Sequence, residues 1–172
     1  MNMISVIGLS DPTINEGFGY RIALFCAGCS HKCKNCHNPM TWDINNGTAM
    51  PVQEVYNILD LDRDFYRLQG VTFTGGDPMY QAKAFCELAK MIRANTKLDI
   101  WCYTGYLFED IVNSKDEKYE LLKLVDVLVD GQYIDELRDT TLDYKGSSNQ
   151  RIIDVPESLK QNAVVLLDLY PS

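Results

Sequence analysis

The stretch Gly70-Val-Thr-Phe-Thr-Gly-Gly-Asp-Pro78 contains the pattern on which the predicted fold rests. Residues 70–74 predict a short strand, and the paired glycines that follow end it. Asp77 can cap a helix, and Pro78 can occupy the first turn of that helix. The helix expected over residues 79–94 then carries an apolar stripe on one face. The unit is therefore a strand that leads directly into a helix.

Strands and helices alternate in this way along the 172 residues of the chain. Further strands are predicted over residues 21–25, 97–103, 124–129 and 163–169, and further helices after Pro51 and over residues 107–113 and 117–123. Alternation of this kind implies a parallel sheet with right-handed helical crossovers. With 46% hydrophobic residues, the chain can form one well-buried domain over residues 1–172. We therefore predict an α/β domain of mainly parallel strands.

Unusual motifs follow four of the predicted strands. The loop that contains Cys29, Cys33 and Cys36, here called the cysteine loop, follows the first of these strands. The motifs after the next three strands are Gly75-Gly76-Asp77, here called the glycine loop, Thr104-Gly105 and Asp130-Gly131. In parallel sheets, binding sites collect at the carboxyl ends of the strands. We therefore expect the four motifs to form one shared site.

The cysteines of the cysteine loop are spaced C-x3-C-x2-C. A loop of that pitch can turn three thiolates toward one point, one fewer than a closed tetrahedral metal site needs. Of the remaining cysteines, Cys86 falls on the apolar stripe of a predicted helix, and Cys102 alternates with apolar residues on a predicted strand. Both are therefore expected to be small core residues rather than ligands.

Two kinds of metal centre stay open for the three thiolates. A structural zinc site could take its fourth ligand from Cys26, His31 or His37. Cys26 ends an apolar strand, however, which favours a packed side chain. An iron–sulfur cluster held by three thiolates would instead leave one iron free to bind a substrate.

The cysteine spacing resembles the signature of the radical S-adenosylmethionine (SAM) enzymes. A longer string is similar to one branch of that family, the activating enzymes of anaerobic, glycyl-radical ribonucleotide reductases: Phe25-Cys-Ala-Gly-Cys-Ser-His-Lys-Cys-Lys-Asn-Cys-His-Asn-Pro-Met-Thr-Trp42. The resemblance continues in order through Thr72-Phe-Thr-Gly-Gly-Asp-Pro78, Trp101-Cys-Tyr-Thr-Gly-Tyr106, Val125-Asp-Val-Leu-Val-Asp-Gly131 and Gly146-Ser-Ser-Asn-Gln-Arg-Ile-Ile-Asp154. These blocks are spread across nearly the whole chain, from residue 25 to residue 154.

The resemblance implies a fold, two cofactors and a reaction. The fold would be the radical SAM fold, a shortened and open partial (β/α) barrel of mainly parallel strands. Cys29, Cys33 and Cys36 would each bind one iron of a [4Fe–4S] cluster, and SAM would chelate the fourth iron. SAM cleavage would yield a 5′-deoxyadenosyl radical that abstracts a glycine Cα hydrogen. No side chain of this chain would act as an acid or a base.

The resemblance also implies two partner proteins. The glycine would belong to the glycyl-radical domain of an anaerobic ribonucleoside-triphosphate reductase. An electron donor such as flavodoxin or ferredoxin would reduce the cluster.

Several residues are expected to contact SAM or the cluster by the same resemblance. Gly75, Gly76 and Asp77 would bind the methionine amino group of SAM, and Thr104 would lie near its ribose or carboxylate. The other candidates are Asn35, His37, Asp130, Asn149 and Arg151. Many radical SAM enzymes place an aromatic residue that flanks the adenine where this chain has Asn35. His37 is either a donor to a cluster sulfur or a surface residue.

Charge and hydropathy restrict the other function classes. The formal net charge of −8 opposes general nucleic-acid binding, and the basic residues near the cysteines, Arg21, Lys32 and Lys34, are expected in a solvated loop. No apolar run approaches the ~18 residues that span a bilayer. The first residues lack the features of an export signal, so we expect a reducing cytoplasm, where clustered thiols favour metal or redox chemistry.

Two other functions stay open at this point. The chain could activate a different glycyl-radical enzyme or act on a small molecule as another radical SAM enzyme. More distantly, it could be a zinc-binding module without enzymatic activity.

Overall fold

The computed structural model describes residues 2–171, which form one seven-stranded sheet with helices. The strands are β1 (Met3–Leu9), β2 (Arg21–Cys26), β3 (Thr48–Pro51), β4 (Gly70–Gly75), β5 (Asp99–Tyr103), β6 (Val127–Asp130) and β7 (Arg151–Asp154). The α-helices are α1 (Val52–Phe65), α2 (Ala82–Asn95), α3 (Phe108–Ser114), α4 (Glu117–Leu122) and α5 (Val155–Gln161). Short 3-10 helices lie at Pro39–Thr41, Ile44–Asn46, Pro78–Gln81 and Asp135–Leu137. Within the described chain, no helix is long and apolar enough to cross a membrane.

The strand order is β3-β1-β2-β4-β5-β6-β7. The four central strands, β2, β4, β5 and β6, pair in parallel. At the edges, β1 and β3 pair antiparallel on one side and β7 pairs antiparallel on the other. The predicted α/β class is therefore confirmed, and the parallel centre places four carboxyl strand ends side by side. The curvature of a partial barrel stays a prediction.

The sheet is mainly parallel, as predicted, with antiparallel strands at both edges, but one predicted strand was misplaced. Residues 163–169 form only a single bridge, between Leu166 and Ile153, and the Leu166 side chain is largely exposed. The last strand is β7, whose Ile152 and Ile153 are buried. Asn162 adopts a left-handed φ of 55° at the end of α5, and the chain then turns back along β7. Val164, Leu167 and Leu169 pack against the buried clusters of the sheet, but the segment forms no continuous ladder.

The core lies mainly between the sheet and helices α1 and α2. The apolar stripe predicted for α2 is buried, as expected, and α1 likewise buries Val52, Val55, Tyr56 and Leu59. The rings of Phe73 on β4 and Phe85 on α2 pack with their centroids 4.8 Å apart. Cys86 and Cys102 are buried members of this core, which confirms the prediction that both are packed residues. On the other face of the sheet, Trp101 belongs to a second, smaller cluster.

Arg21 lies in the protein interior rather than in a solvated loop. Its side chain is fully buried at the amino end of β2, where Nε donates to Thr72 Oγ1 (2.8 Å) and Nη2 donates to the carbonyl of Val71 (3.2 Å). Nη2 also pairs with Asp99 at the start of β5, and the guanidinium stands 5.4 Å from the ring centre of Trp101. One side chain therefore connects three parallel strands.

We predict that Arg21→Met destabilises the protein by about 3 kcal/mol, because buried oxygens lose their donor and Asp99 loses its charge partner. Urea unfolding of the apoprotein measures this loss. The matched control is Arg63→Met, since Arg63 forms partly exposed ion pairs with Asp60 and Asp64. The control should lose less than about 1 kcal/mol. Equal losses in the two variants would contradict the structural role of Arg21.

Candidate functional site

One cavity of about 200 Å³ lies at the carboxyl ends of the central strands. All three cysteines of the cysteine loop line it, together with the glycine loop and Thr104. The other predicted residue in its wall is His37. A larger cavity of about 510 Å³, which includes Lys97 and Asp99 at the amino end of β5, contains none of the predicted site residues. The structure thus brings the principal sequence motifs to one place.

The cysteine loop is closed at its base by backbone hydrogen bonds. The N–H of Gly28 donates to the carbonyl of Thr41 (2.7 Å), and the N–H of Cys29 donates to that of Trp42 (3.1 Å). Between these ends, Lys32 and Asn35 adopt left-handed φ values of 50° and 55°. These two turns reverse the chain between successive cysteines, so that all three thiols face the same cavity.

The environment of the thiols is partly buried and contains backbone donors. Burial raises the pKa of the Cys29 thiol, and the Asp77 carboxylate adds to the rise, whereas a hydrogen bond from the backbone N–H of His31 opposes it. Burial also raises the pKa of the Cys33 thiol, against a hydrogen bond from the backbone N–H of Tyr133. Bound iron would supply the positive charge that thiolates need in such a site.

The three thiols differ from the ligand set of a single metal ion. Among residues 2–171, no group of three His, Cys, Asp or Glu side chains is placed to hold a single metal ion. In an iron–sulfur cluster each thiolate binds a different iron, so the thiolates stand farther apart than ligands of one ion. The three thiols of the cysteine loop line one cavity, and soft thiolate ligands suit iron–sulfur clusters. The residues present therefore fit a cluster.

The paired glycines let the backbone of the glycine loop contact the base of the cysteine loop. The N–H of Gly76 donates to the carbonyl of Cys26, and the N–H of Asp77 donates to that of Gly28, both at 2.8 Å. Gly75 has a φ of +103°, and a Cβ there would lie 2.4 Å from the backbone nitrogen of Cys26. A Cβ on Gly76 would lie 2.5 Å from the Gly28 carbonyl oxygen. Side chains at either position would separate the two loops.

Asp77 connects the motifs through a buried carboxylate that is 1% exposed. Its Oδ2 accepts hydrogen bonds from Thr104 Oγ1 (2.9 Å) and from the backbone N–H of Gly105 (3.0 Å). The same oxygen lies 2.7 Å from His31 Nε2. Its Oδ1 accepts from the N–H of Met79 (2.9 Å), which caps the 3-10 helix that begins at Pro78. The predicted helix cap is confirmed, and the carboxylate joins three loops as well.

Asp130 and Arg151, two of the residues predicted to contact SAM or the cluster, form an ion pair with each other. Neither residue lines the cavity that contains the three cysteines, here called the cysteine cavity. Arg151 Nε donates to Asp130 Oδ1 (3.0 Å), and Arg151 Nη2 donates to Asp130 Oδ2 (2.6 Å). Arg151 also forms two hydrogen bonds with Glu109, at 3.0 and 2.8 Å. Asp130 is fully buried and accepts from the N–H of Phe108 at the start of α3. The pair therefore connects β6, β7 and α3.

The remaining two candidates lie beside the cavity. Asn35 is exposed and donates to Asp135 Oδ2 (2.8 Å). Asn149 donates to the carbonyl of Gln132 (2.8 Å), and it lines an adjacent cavity of about 480 Å³ that also contacts His31 and Gly105. Its Oδ1 is buried without a hydrogen-bond partner among the described residues.

The cavity wall also includes residues that sequence reasoning did not assign to it. Tyr103 ends β5, and Gln132 and Tyr133 follow Asp130-Gly131, so their positions beside recognised motifs were the available signal. Gln150 adjoins the predicted Asn149 in the same way. His31 entered the sequence analysis only as a possible zinc ligand, although its place between Cys29 and Cys33 marks it as a site residue.

Gly76→Ala tests the contact between the two loops. We expect it to destabilise the apoprotein by about 2 kcal/mol and to lower the iron and sulfide content after anaerobic reconstitution, because a Cβ would meet the Gly28 carbonyl. Gly8→Ala is the matched control, since a Cβ at Gly8 has nothing within 4 Å. The control should stay within about 0.5 kcal/mol. A Gly76→Ala protein with unchanged stability and iron content would contradict the close packing.

Comparison with known proteins places the chain among iron–sulfur proteins. Residues 15–153 match the protein family described as "4Fe-4S single cluster domain". The chain is 40% identical over 140 residues to a protein of Enterobacteria phage T4, a match that covers 80% of this chain and 85% of the relative. Identity is 38% over 142 residues with a Vibrio cholerae serotype O1 protein, covering 80% and 89% of the two chains. It is 36% over 141 residues with an Escherichia coli (strain K12) protein, covering 80% and 90%.

All three relatives bear the name anaerobic ribonucleoside-triphosphate reductase-activating protein. The identities and the coverage, together with the match to the cluster domain, indicate common descent over most of the chain. The chain therefore belongs to the family of anaerobic ribonucleoside-triphosphate reductase-activating proteins, which here includes a 4Fe-4S single cluster domain.

Proposed function

We propose that the chain is a radical SAM enzyme that activates an anaerobic ribonucleoside-triphosphate reductase. The observation that carries the proposal is that Cys29, Cys33 and Cys36 line one cavity with the glycine loop and Thr104. The names of the relatives support the reductase as the partner. The match to a 4Fe-4S domain favours an iron–sulfur cluster over the zinc alternative.

The bound cofactors would supply the chemistry: one electron from a reduced [4Fe–4S] cluster would split the C5′–S bond of SAM, and the products would be methionine and a 5′-deoxyadenosyl radical able to take a hydrogen atom from a glycine Cα of the reductase. The chain itself binds and positions. Cys29, Cys33 and Cys36 would each hold one iron of the cluster, which would leave the fourth iron for the amino and carboxylate groups of SAM. An electron donor such as flavodoxin or ferredoxin provides the electron, and the cytoplasm keeps the thiols reduced.

The walls of the cavity suit a site that binds SAM beside the cluster. Gly75 and Gly76 expose backbone next to the thiols, where a ligand can approach closely. Asp77 and Thr104 hold this edge of the cavity through their hydrogen bond. Tyr103 and Tyr133 contribute aromatic rings to the wall of the cavity. We assign the methionine end of SAM to the glycine loop and its ribose to the side of Thr104.

The other residues predicted to contact SAM or the cluster have different surroundings, which support different roles. The unpartnered Oδ1 of Asn149, beside a cavity that adjoins the cysteine cavity, supports a direct contact with the adenosine part of SAM. His37 lines the cysteine cavity and packs against Tyr133 with ring centroids 5.4 Å apart, which supports a contact with a cluster sulfur. Asp130 and Arg151 support the site by fixing the ends of β6 and β7. Asn35 stays a candidate for the adenine edge.

Single substitutions of the cysteines test which of them bind the cluster and which are only packed in the core. We expect Cys29→Ala, Cys33→Ala and Cys36→Ala each to prevent cluster assembly and SAM cleavage, because each removes the ligand of one iron. Cys86→Ala and Cys102→Ala should retain both properties and lose about 1 kcal/mol of stability as core substitutions. Iron and sulfide analysis and 5′-deoxyadenosine formation measure these outcomes. Equal losses in all five variants would contradict the assignment.

Activation of the partner can be observed directly. The reconstituted protein, a reductant and SAM should generate a glycyl-radical EPR doublet on co-incubated anaerobic ribonucleoside-triphosphate reductase. The doublet should be absent without SAM and with a reductase whose radical-bearing glycine is replaced by alanine. SAM cleavage without a doublet on the reductase, together with turnover of a small molecule or activation of a different glycyl-radical enzyme, would overturn the proposed partner.

A further inference from the structure

The imidazole of His31 connects the cysteine loop to the rest of the site. Its Nε2 lies 2.7 Å from Asp77 Oδ2, and both side chains are nearly buried, with 8% and 1% exposure. His31 stands two positions from Cys29 and two positions from Cys33. Because a hydrogen bond to a charged group is stronger when it is shielded from water, this contact is a firm attachment of the loop.

The neighbours of His31 define the direction of this hydrogen bond. Gln132 Nε2 lies 3.2 Å from His31 Nδ1. A carboxylate oxygen accepts hydrogen bonds, and Asp77 Oδ2 already accepts from Thr104 and Gly105, so the proton between this oxygen and His31 belongs to Nε2. His31 Nε2–H therefore donates to the Asp77 carboxylate. The imidazole is held on both nitrogens by groups from two different loops.

Packing fixes the plane of the ring as well. His31 meets Tyr106 edge to face, with ring centroids 4.6 Å apart. A Cβ on Gly105 would lie 2.6 Å from His31 Cδ2, so the absence of a side chain at Gly105 makes room for the imidazole. The ring is thus enclosed by the residues that follow β5, next to the N–H group of Gly105 that also donates to Asp77.

The side-chain contacts of Lys34 and Asn35 in the same loop are exposed, and Cys33 is attached through the hydrogen bond that its thiol accepts from the backbone N–H of Tyr133. Lys34 lies 3.5 Å from Glu136, and both side chains are mostly in solvent. Asn35 donates to Asp135 on the surface. Exposed contacts of this kind contribute little to holding a loop in place. His31 is therefore the buried attachment between the closed base of the loop and Cys33.

We propose that His31 is a positioning residue: its hydrogen bond to Asp77 holds the cysteine loop at a fixed separation from the glycine loop before the cofactors bind. The part of this inference that concerns SAM rests on the proposed function. A ligand that spans the open iron and the glycine loop needs both at a set distance. Loss of the bond should therefore weaken SAM binding more than it slows cleavage of bound SAM.

Two substitutions at His31 and one control test the proposal. His31→Leu removes the N–H donor at similar size, whereas His31→Gln keeps an N–H donor at the reach of Nε2. Lys34→Ala is the matched control in the same loop, because it removes only an exposed ion pair. Each protein is studied as the apoprotein and after reconstitution with iron and sulfide.

Hydrogen exchange of the apoprotein measures the attachment without any cofactor. We expect the amides of residues 29–36 to exchange at least about tenfold faster in His31→Leu, in line with the loss of a hydrogen bond to a charged group. Exchange in β4 and β5 should be unchanged, and His31→Gln and Lys34→Ala should resemble the parent protein. Equal protection of residues 29–36 in His31→Leu and the parent would overturn the proposal.

The reconstituted proteins test the consequence for SAM. His31→Leu should raise the KM for SAM by about tenfold or more, while its kcat per assembled cluster changes by less than about threefold, and His31→Gln should restore most of the KM. A loss of general stability would lower the amount of active protein and leave the KM unchanged. If His31→Gln were as impaired as His31→Leu, the hydrogen bond would not be the cause. If the parent protein assembled a cluster and never bound SAM, the proposed function would fail, and hydrogen exchange alone would decide the role of His31.

Discussion

The site depends on direct backbone contact between the ends of two neighbouring parallel strands. Where β2 and β4 end, the carbonyls of Cys26 and Gly28 accept hydrogen bonds from Gly76 and Asp77. Only glycine fits at positions 75 and 76, because a Cβ at either would meet the backbone of the opposite loop. The base of the cysteine loop is thus held against the glycine loop by these hydrogen bonds. The contact determines how far the three thiols lie from the glycine loop.

The buried carboxylate of Asp77 extends this contact to the rest of the site. It receives donors from Thr104 and Gly105 after β5, from Met79 before α2 and from His31 within the cysteine loop. The loops that follow the parallel strands β2, β4 and β5 therefore meet at the carboxylate of Asp77. A cavity bounded in this way can hold a cluster by three thiols and still present an open edge to a second ligand. The chemistry that we propose needs that combination.

The sequence predicts the parallel centre and the cavity well, because both depend on local patterns. The apolar stripes of α1 and α2 and the motifs after β2, β4, β5 and β6 are visible as short strings. The antiparallel edges were missed because β1, β3 and β7 were not recognised as strands: β7 has only four residues, and the more apolar segment 163–169 resembled the last strand. Two side-chain contacts were missed because the partners are distant in the chain. His31 and Asp77 are 46 positions apart, and Arg21 and Asp99 are 78 positions apart.

The central claim is that three thiols leave one iron of the cluster open for SAM. Mössbauer spectroscopy of the protein reconstituted with isotopically enriched iron tests it most directly, since each iron reports its own ligands. We predict that SAM changes the spectrum of a single iron of the [4Fe–4S] cluster and leaves the other three unchanged. A cluster whose four irons are all insensitive to SAM would contradict the claim.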